Sequence, residues 1–214
     1  MGRLFLVRHG QTIYNDEGRL AGKTDVPLNE NGISQAHRLT EFLRPILFHS
    51  AFISPMIRAV KTAEIILDGR ENIKTQQLAA ITEMDFGDWE GKKFKELIKE
   101  HPEQIQEWIN ATDNFCFPGG ECIANFKARI LEAFDHTILP ACKSGSVLMV
   151  THGGVILTIT IHLLGLPMSH FFKMRTDNAR VTAFDFDEVL GARLVTFNAG
   201  PDLPGFAKIL PDER

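Results

Sequence analysis

Cysteine is scarce in this chain of 214 residues, with three in all. Cys116, Cys122 and Cys142 cannot all pair with one another and show no Cys-x-x-Cys spacing, so neither a disulfide framework nor a zinc knuckle is indicated and reduced thiols are expected. Long apolar runs are missing as well. The longest, Val155 to Leu166, is interrupted by Thr158, Thr160 and His162 and is too short to span a bilayer. The first residues show no charged segment leading into an apolar stretch and a small-residue cleavage site, so a cytoplasmic protein is expected. Nor is there an excess of cations: 23 Lys and Arg stand against 27 Asp and Glu, a formal net charge of -4. Bulk attraction to nucleic acid or to an anionic membrane is thereby disfavoured, and any cationic site must be local. Internal repeats and low-complexity segments are absent. His37, His49, His101, His136, His162 and His170 have no partners at metal-ligand spacing and read as surface or core residues.

What is present fits one domain over residues 1–214, since 44% hydrophobic content at this length supports a substantial core. Strands are read at Leu4 to Val7, Ala51 to Ile53, near Ile73 to Leu78, Val147 to Val150, Arg180 to Phe186 and Ala192 to Phe197. Helical stretches lie between the first four, an α/β order. A helix from about Glu30 to Leu43 places Ile33, Ala36, Leu39 and Leu43 on one face, with Asn31-Gly32 weakening its start. Ser54-Pro55 reads as a helix entry, Ser as N-cap and Pro at the first helical position, where a missing N–H does no harm. From about residue 88 to 118, Lys92, Lys93, Lys95 and Lys99 alternate with Phe94, Leu97 and Ile98, and Pro102 opens a second short helix through Trp108. This segment reads as a helical cover over the sheet edge. Further helices are expected from about Cys122 to His136 and from Gly154 to Leu164, the second apolar nearly all round and so buried.

Two places concentrate polar chemistry. Leu4-Phe5-Leu6-Val7 ends in Arg8-His9-Gly10, and Val147-Leu148-Met149-Val150 ends in Thr151-His152-Gly153-Gly154. If the two strands are neighbours in a parallel sheet, both imidazoles emerge side by side at its carboxyl edge. A strand closed by a glycine turn is common, and either segment alone would carry little weight. The pair gains meaning from Arg58, in the first turn of the helix after Ser54-Pro55, where a cation is mildly unfavourable unless an anion is near. A neutral imidazole is a competent nucleophile near pH 7. Arginine suits phosphate because its planar fork makes paired hydrogen bonds and stays charged. Glu83 is the leading candidate to protonate a leaving alcohol, with Asp85, Asp88 and Glu90 as rivals close in sequence.

Leu6-Val7-Arg8-His9-Gly10-Gln11-Thr12 with Asn15, Ser54-Pro55 with Arg58-Ala59 and Thr62-Ala63, Glu83 with Phe86-Gly87, Pro118-Gly119-Gly120-Glu121, and Thr151-His152-Gly153-Gly154 together resemble the histidine phosphatase superfamily, the phosphoglycerate mutase-like group. The likeness runs in order from residue 4 to about residue 200. It implies a three-layer α/β/α sandwich with a mostly parallel central sheet. It further implies metal-independent phosphoryl transfer without a cofactor, through a phosphohistidine on His9. Arg8, Arg58 and His152 would hold the phosphoryl group and Glu83 would donate the proton. Asn15, Gly22 and Gly153 would add hydrogen bonds.

Within that group this chain departs from the cofactor-dependent mutases, which carry Thr-Gly where Ala21-Gly22 stand, Tyr where Phe86 stands, and Trp-Arg-Arg where Trp108-Ile109-Asn110 align. A substrate carboxylate would lose several charge-assisted bonds of roughly 1.5–3 kcal/mol each. The expectation is a phosphatase of the small branch, which includes α-ribazole-type and phosphoserine phosphatase-like enzymes. A phosphoglycerate mutase is the first alternative and a non-catalytic phospho-ligand sensor the second, although a pure binder needs no nucleophile and proton donor together. The expected partner is a small phosphomonoester, with a homodimer compatible and neither nucleic acid nor membrane involved. Phe184-Asp185-Phe186-Asp187 resembles the nucleophile motif of haloacid dehalogenase phosphatases, but it stands too near the end of the chain to open an α/β domain and reads as a hairpin.

Overall fold

The computed structural model describes residues 2–110 and 113–201; residues 111 and 112 of the cover, and the ends of the single domain expected over 1–214, lie outside them. Strands β1 (Gly2–Arg8), β2 (Phe48–Ile53), β3 (Lys74–Gln77), β4 (Ser146–Thr151), β5 (Val181–Asp187) and β6 (Gly191–Ala199) form one sheet in the order β3-β2-β4-β1-β5-β6. The first four in that order run parallel, and β5 and β6 close one edge as an antiparallel pair. Six helices matter for the layers: α1 (Ile13–Glu17), α2 (Glu30–Leu43), α3 (Ile57–Leu67), the cover pair α4 (Phe94–Glu100) and α5 (Pro102–Ile109), and α6 (Ile123–Ala133). After a π turn through Ile138 the chain continues as α7 (Leu139–Cys142), and α8 (Gly153–Leu163) follows β4.

Alternation along β1 divides the interior. Leu4 and Leu6 join Phe126, Ile130, Val155 and Ile159 in one core, which reaches under the cover to Trp89 and Trp108. Phe5 and Val7 face the other way and join Leu39, Leu43, Ala63 and Ile66. Period-two side chains on a sheet covered on both faces give the near-continuous apolar runs seen in β1 and β4. The architecture is the expected three-layer α/β/α sandwich, with helices on both faces of a mostly parallel sheet.

The helix from Glu30 to Leu43 forms as its periodicity indicates, with Ala36, Leu39 and Leu43 buried, but Ile33 stands at the exposed edge of the stripe. Gly32 has a role its helix propensity does not show. A Cβ there would lie 2.1 Å from the carbonyl oxygen of Gln11, and one on Gly10 would lie 2.5 Å from the carbonyl of Gly32. The loop leaving β1 therefore rests directly on the first turn of α2, backbone on backbone.

Two expectations are corrected. Ser54 does not cap a helix: α3 begins at Ile57, its N-cap is Met56 without a side-chain bond, and Ser54 is buried with its hydroxyl committed elsewhere. The cysteines are not all thiols. Cys116 and Cys122 form a disulfide across the turn Pro118-Gly119-Gly120, where Phe117 N–H bonds Glu121 O and Ile123 N–H bonds Phe115 O, so that the two residues face each other as a narrow antiparallel pair. Spacing rules for metal and redox pairs miss this, because a glycine turn rather than a helix brings the sulfurs together. Cys142 alone is free, buried, and its thiol is pushed up to about 12 by desolvation.

In an open helix, Gly→Ala adds up to about 1 kcal/mol of stability. Here Gly32→Ala should instead remove about 1–3 kcal/mol, because the new methyl meets backbone that cannot rotate aside. A lower urea midpoint would show it; a raised midpoint would refute the packing argument.

Candidate active site

Strand register fixes the centre. Arg8 pairs with Thr151 in the β1–β4 ladder, so His9 and His152 are the first residues beyond two adjacent strand ends. Their ring centroids are 5.2 Å apart, and both side chains are buried. The Nδ1 of His9 is 2.7 Å from Gly10 O; against a carbonyl it must carry the proton, which leaves the lone pair on Nε2. The ring of His152 is held the opposite way. Arg58 Nε donates to its Nδ1 at 3.3 Å, so Nε2 carries the hydrogen and donates to Ser54 Oγ at 2.7 Å.

Arg58 is the second residue of α3 and fully buried. Besides His152, its guanidinium donates to Thr24 O at 2.9 Å, Gly22 O at 2.8 Å and Ala21 O at 3.2 Å. Four of its five N–H groups are thus engaged, which fixes the plane of the fork and leaves its charge and one N–H for a ligand. Arg8 donates through Nη1 to Thr176 O at 2.6 Å, while its Nε is buried without a hydrogen-bond partner. An orphan donor on a buried cation is unfavourable unless an anion completes it. Burial lowers the pKa of both guanidiniums, and the nearby Glu83 carboxylate works against that lowering. Near neutral pH both remain cations.

Glu83 stands at the start of α8. Its Oε2 accepts the Gly154 N–H at 3.1 Å and its Oε1 the Met84 N–H at 3.1 Å, and a Cβ on Gly154 would lie 2.4 Å from Oε1. The second glycine of His152-Gly153-Gly154 thus makes room for a carboxylate. The rivals are engaged elsewhere: Asp85 pairs with Lys23 at 2.7 Å, Asp88 is exposed beside Gly119, and both oxygens of Glu90 are taken by backbone donors. Asp185 and Asp187 lie at the other end of the sheet, Asp185 paired with Arg3 and Asp187 capping the β5–β6 turn.

The remaining expected residues are placed as follows. Asn15 Oδ1 accepts from Thr12 N–H, Thr12 Oγ and Asn178 Nδ2, at 3.1 Å each. Gly153 opens α8 beside Arg8, at the helix end where amides lack intrahelical acceptors. The Gly22 N–H is not available in the way expected, since it donates to Glu90 at 3.1 Å. Two residues were not anticipated from the sequence. Ser54 orients His152, and Asn178 ties His9 O to Asn15 Oδ1, both at 3.1 Å. The polar turn Thr176-Asp177-Asn178 directly before a strand was the available signal for Asn178. A cavity of about 500 Å³ opens on the Arg8 and Asn15 side, also bounded by Gln11, Arg19 and Arg175.

Electrostatics make both imidazoles neutral. Desolvation, with Arg58 and Arg8 adding to it, holds His9 well below the ordinary histidine value. His152 is lowered well below it too, by desolvation first and then by Arg58, His9 and Arg8. The charge of this pocket therefore resides in its guanidiniums, while the one N–H of the neutral His152 is taken by Ser54, which departs from the expectation that His152 donates to the phosphoryl group.

Two neutral imidazoles lie between the guanidiniums of Arg8 and Arg58, with the Glu83 carboxylate against the start of α8, an arrangement chemically suited to a phosphoryl group. The chain belongs to the histidine phosphatase superfamily (branch 1), whose pattern it matches over residues 4–199. It is 31% identical over 87% of its length to 91% of the adenosylcobalamin/alpha-ribazole phosphatase of Escherichia coli strain K12. It is also 31% identical over 86% of its length to 86% of a 2,3-bisphosphoglycerate-dependent phosphoglycerate mutase 2 from Gloeobacter violaceus. The crystal structure of the alpha-ribazole phosphatase from Shigella flexneri superposes with a TM-score of 0.81 at 29% identity, covering 92% of this chain and 96% of that one.

Because the folded imidazoles resist protonation, kcat/KM should stay level as pH falls through about 6.5, the ordinary histidine value, and decline only below it. The unfolded chain takes up those protons from about pH 6.5 downward while the folded one does not, so this part of the stability is complete above that pH and lost below it. Initial rates corrected for substrate ionisation, together with urea melts at pH 7.5 and 5.5, test both signs. An acid limb centred at 6.5 would refute the depressed values.

Proposed function

We propose that the protein is a phosphomonoesterase that hydrolyses a small phosphorylated metabolite through a phosphohistidine on His9, without a metal or other cofactor. The observation that carries this reading is the His9 tautomer. With Nδ1–H on Gly10 O, the Nε2 lone pair lies in a pocket walled by Arg8 and Arg58. Glu83 first accepts a proton from the entering phosphomonoester monoanion; Nε2 then attacks phosphorus and the bond to the leaving oxygen breaks, that oxygen taking the proton back from Glu83. Water then attacks the phosphohistidine, gives a proton to Glu83, and the P–N bond breaks to return neutral His9 and inorganic phosphate. Charge spreads over the equatorial oxygens at both transition states, where fixed guanidiniums need no reorganisation to stabilise it.

Hydrolysis is favoured over mutase turnover by the cover. Where the mutases place a phenol, Phe86 is buried against Trp108 and Phe117, and where they place two guanidiniums this chain has the half-buried Ile109 and the exposed Asn110. Ala21 offers its carbonyl to Arg58 and has no hydroxyl for a substrate. A second anionic group would find few donors among these residues. The relationship to an alpha-ribazole phosphatase points the same way, and the relationship to a mutase makes 3-phosphoglycerate the control substrate.

His9→Ala should abolish turnover of p-nitrophenyl phosphate, measured in EDTA, and acid-quench labelling should lose its acid-labile phosphoprotein. Arg8→Ala and Arg58→Ala should each lower the rate on the order of 10²–10³-fold, as removal of a preorganised charge donor does. Glu83→Gln should impair alkyl phosphates more than p-nitrophenyl phosphate, whose phenolate leaves without a proton. A panel of alpha-ribazole phosphate, phosphoserine and 3-phosphoglycerate should show hydrolysis and no phosphoryl migration. Dependence on magnesium, or turnover by His9→Ala, would overturn the proposal.

A further inference from the structure

Glu90 is the most heavily engaged carboxylate near the pocket, yet it lies outside the phosphoryl-transfer machinery. It follows the short turn Gly87–Trp89 that begins the cover, and its two oxygens accept five donors. Gly22 N–H reaches both oxygens at 3.1 Å, Lys23 N–H is 2.9 Å away, Thr24 N–H 3.2 Å, Thr24 Oγ1 2.7 Å and Phe86 N–H 3.1 Å. Consecutive amides wrapped around one anion form a rigid concavity. Gly22 must be glycine for this, since a Cβ would lie 2.4 Å from Glu90 Oε1 and 1.8 Å from Met84 O.

The other side of the same loop holds the arginine. While the N–H groups of residues 22 to 24 turn toward Glu90, the carbonyls of Ala21, Gly22 and Thr24 turn toward Arg58 and take three of its N–H groups. Because each trans peptide unit is planar, pinning the Gly22 and Lys23 N–H groups on Glu90 turns the carbonyls of Ala21 and Gly22, which share those units, to the opposite side; Thr24 is held through its own N–H and hydroxyl. Arg58 in turn donates to His152 Nδ1 and so sets that imidazole's tautomer. The chain of contacts runs Glu90, loop 21–24, Arg58, His152, without a gap.

We infer that Glu90 is a positioning residue for phosphoryl transfer: by clamping the Gly22–Thr24 amides it aims the loop carbonyls that lock the Arg58 guanidinium over the transferring group. This rests on the reading of Arg58 as a phosphate-gripping residue. With both oxygens saturated, Glu90 is unsuited to exchange a proton with substrate, which separates its role from that of Glu83. The clamp also joins the cover to the cup, since Phe86 N–H shares the same carboxylate and Lys23 pairs with Asp85.

A double-mutant cycle on kcat/KM for p-nitrophenyl phosphate, with orthovanadate inhibition measured in parallel, tests the inference. Glu90→Ala should lower kcat/KM about 10–100-fold and weaken vanadate similarly, the scale expected when a catalytic group is misplaced by about an ångström. In the Arg58→Ala background the same substitution should cost less than about threefold, because residues acting through one another are not additive. Should Glu90→Ala fail to fold, as judged by circular dichroism and melting, Glu90→Gln takes its place in the cycle. Gln keeps the shape but sets an NH₂ against the loop donors, and the same non-additivity is expected. Independent, multiplicative losses would overturn the inference, as would full activity of Glu90→Ala beside an impaired Arg58→Ala. Full activity of Arg58→Ala would instead remove the phosphate-gripping role of Arg58, and the inference with it.

Discussion

The pairing of β1 with β4 governs the chemistry of this molecule. Five residue pairs, from Leu4 with Val147 to Arg8 with Thr151, bring two strand ends level, and a histidine follows each of them. In a parallel sheet the adjacent strand ends open on the same side, so both rings enter one pocket. A slip of one residue would turn every side chain of β1 to the opposite face of the sheet and send Leu4 and Leu6 into the wrong core. The apolar packing that keeps the sheet in register is thus also what keeps the imidazoles together.

Around that pair the protein substitutes fixed dipoles for water. His9 is oriented by the carbonyl of Gly10, His152 by Arg58 and Ser54, Arg8 by the carbonyl of Thr176, and Asn15 by Asn178. Backbone carbonyls carry much of this work, which suits the proposed binding of a dianion. They hold cations in place without neutralising them, as a carboxylate beside each arginine would. The neutral imidazoles follow from the same arrangement, since burial beside two guanidiniums disfavours a third and fourth positive charge.

Much of this was legible in the residues. Apolar runs with glycine turns marked β1 and β4, the helical stripe marked α2, and the ordered set from Arg8 to His152 pointed to the superfamily. The misses share a cause. Ser54 looked like a helix cap because Ser-Pro suits one, and only the fold reveals that its hydroxyl meets an imidazole 98 residues away in sequence. Asn178 and Glu90 act on backbone groups, and main-chain partners leave no trace in side-chain spacing. The Cys116–Cys122 pair was discounted by spacing rules that do not consider a Pro-Gly-Gly turn. Gly32 read as a weak helix start when it was a contact point between two main chains.

The position of β1 within the sheet also bears on how the molecule comes to exist. The first strand of the chain is interior: one side pairs with β4, whose partners begin at Val147, and the other with β5, whose partners begin at Val181. Both edges of this apolar strand must therefore wait for segments well over a hundred residues downstream. Pairings of such long range form slowly, and unpaired apolar strands are where chains stick to one another. Emerging from the ribosome, this chain would hold an apolar strand open until β4 and β5 follow, and no fragment lacking β4 could set the two histidines side by side, so completion of the site would coincide with closure of the sheet.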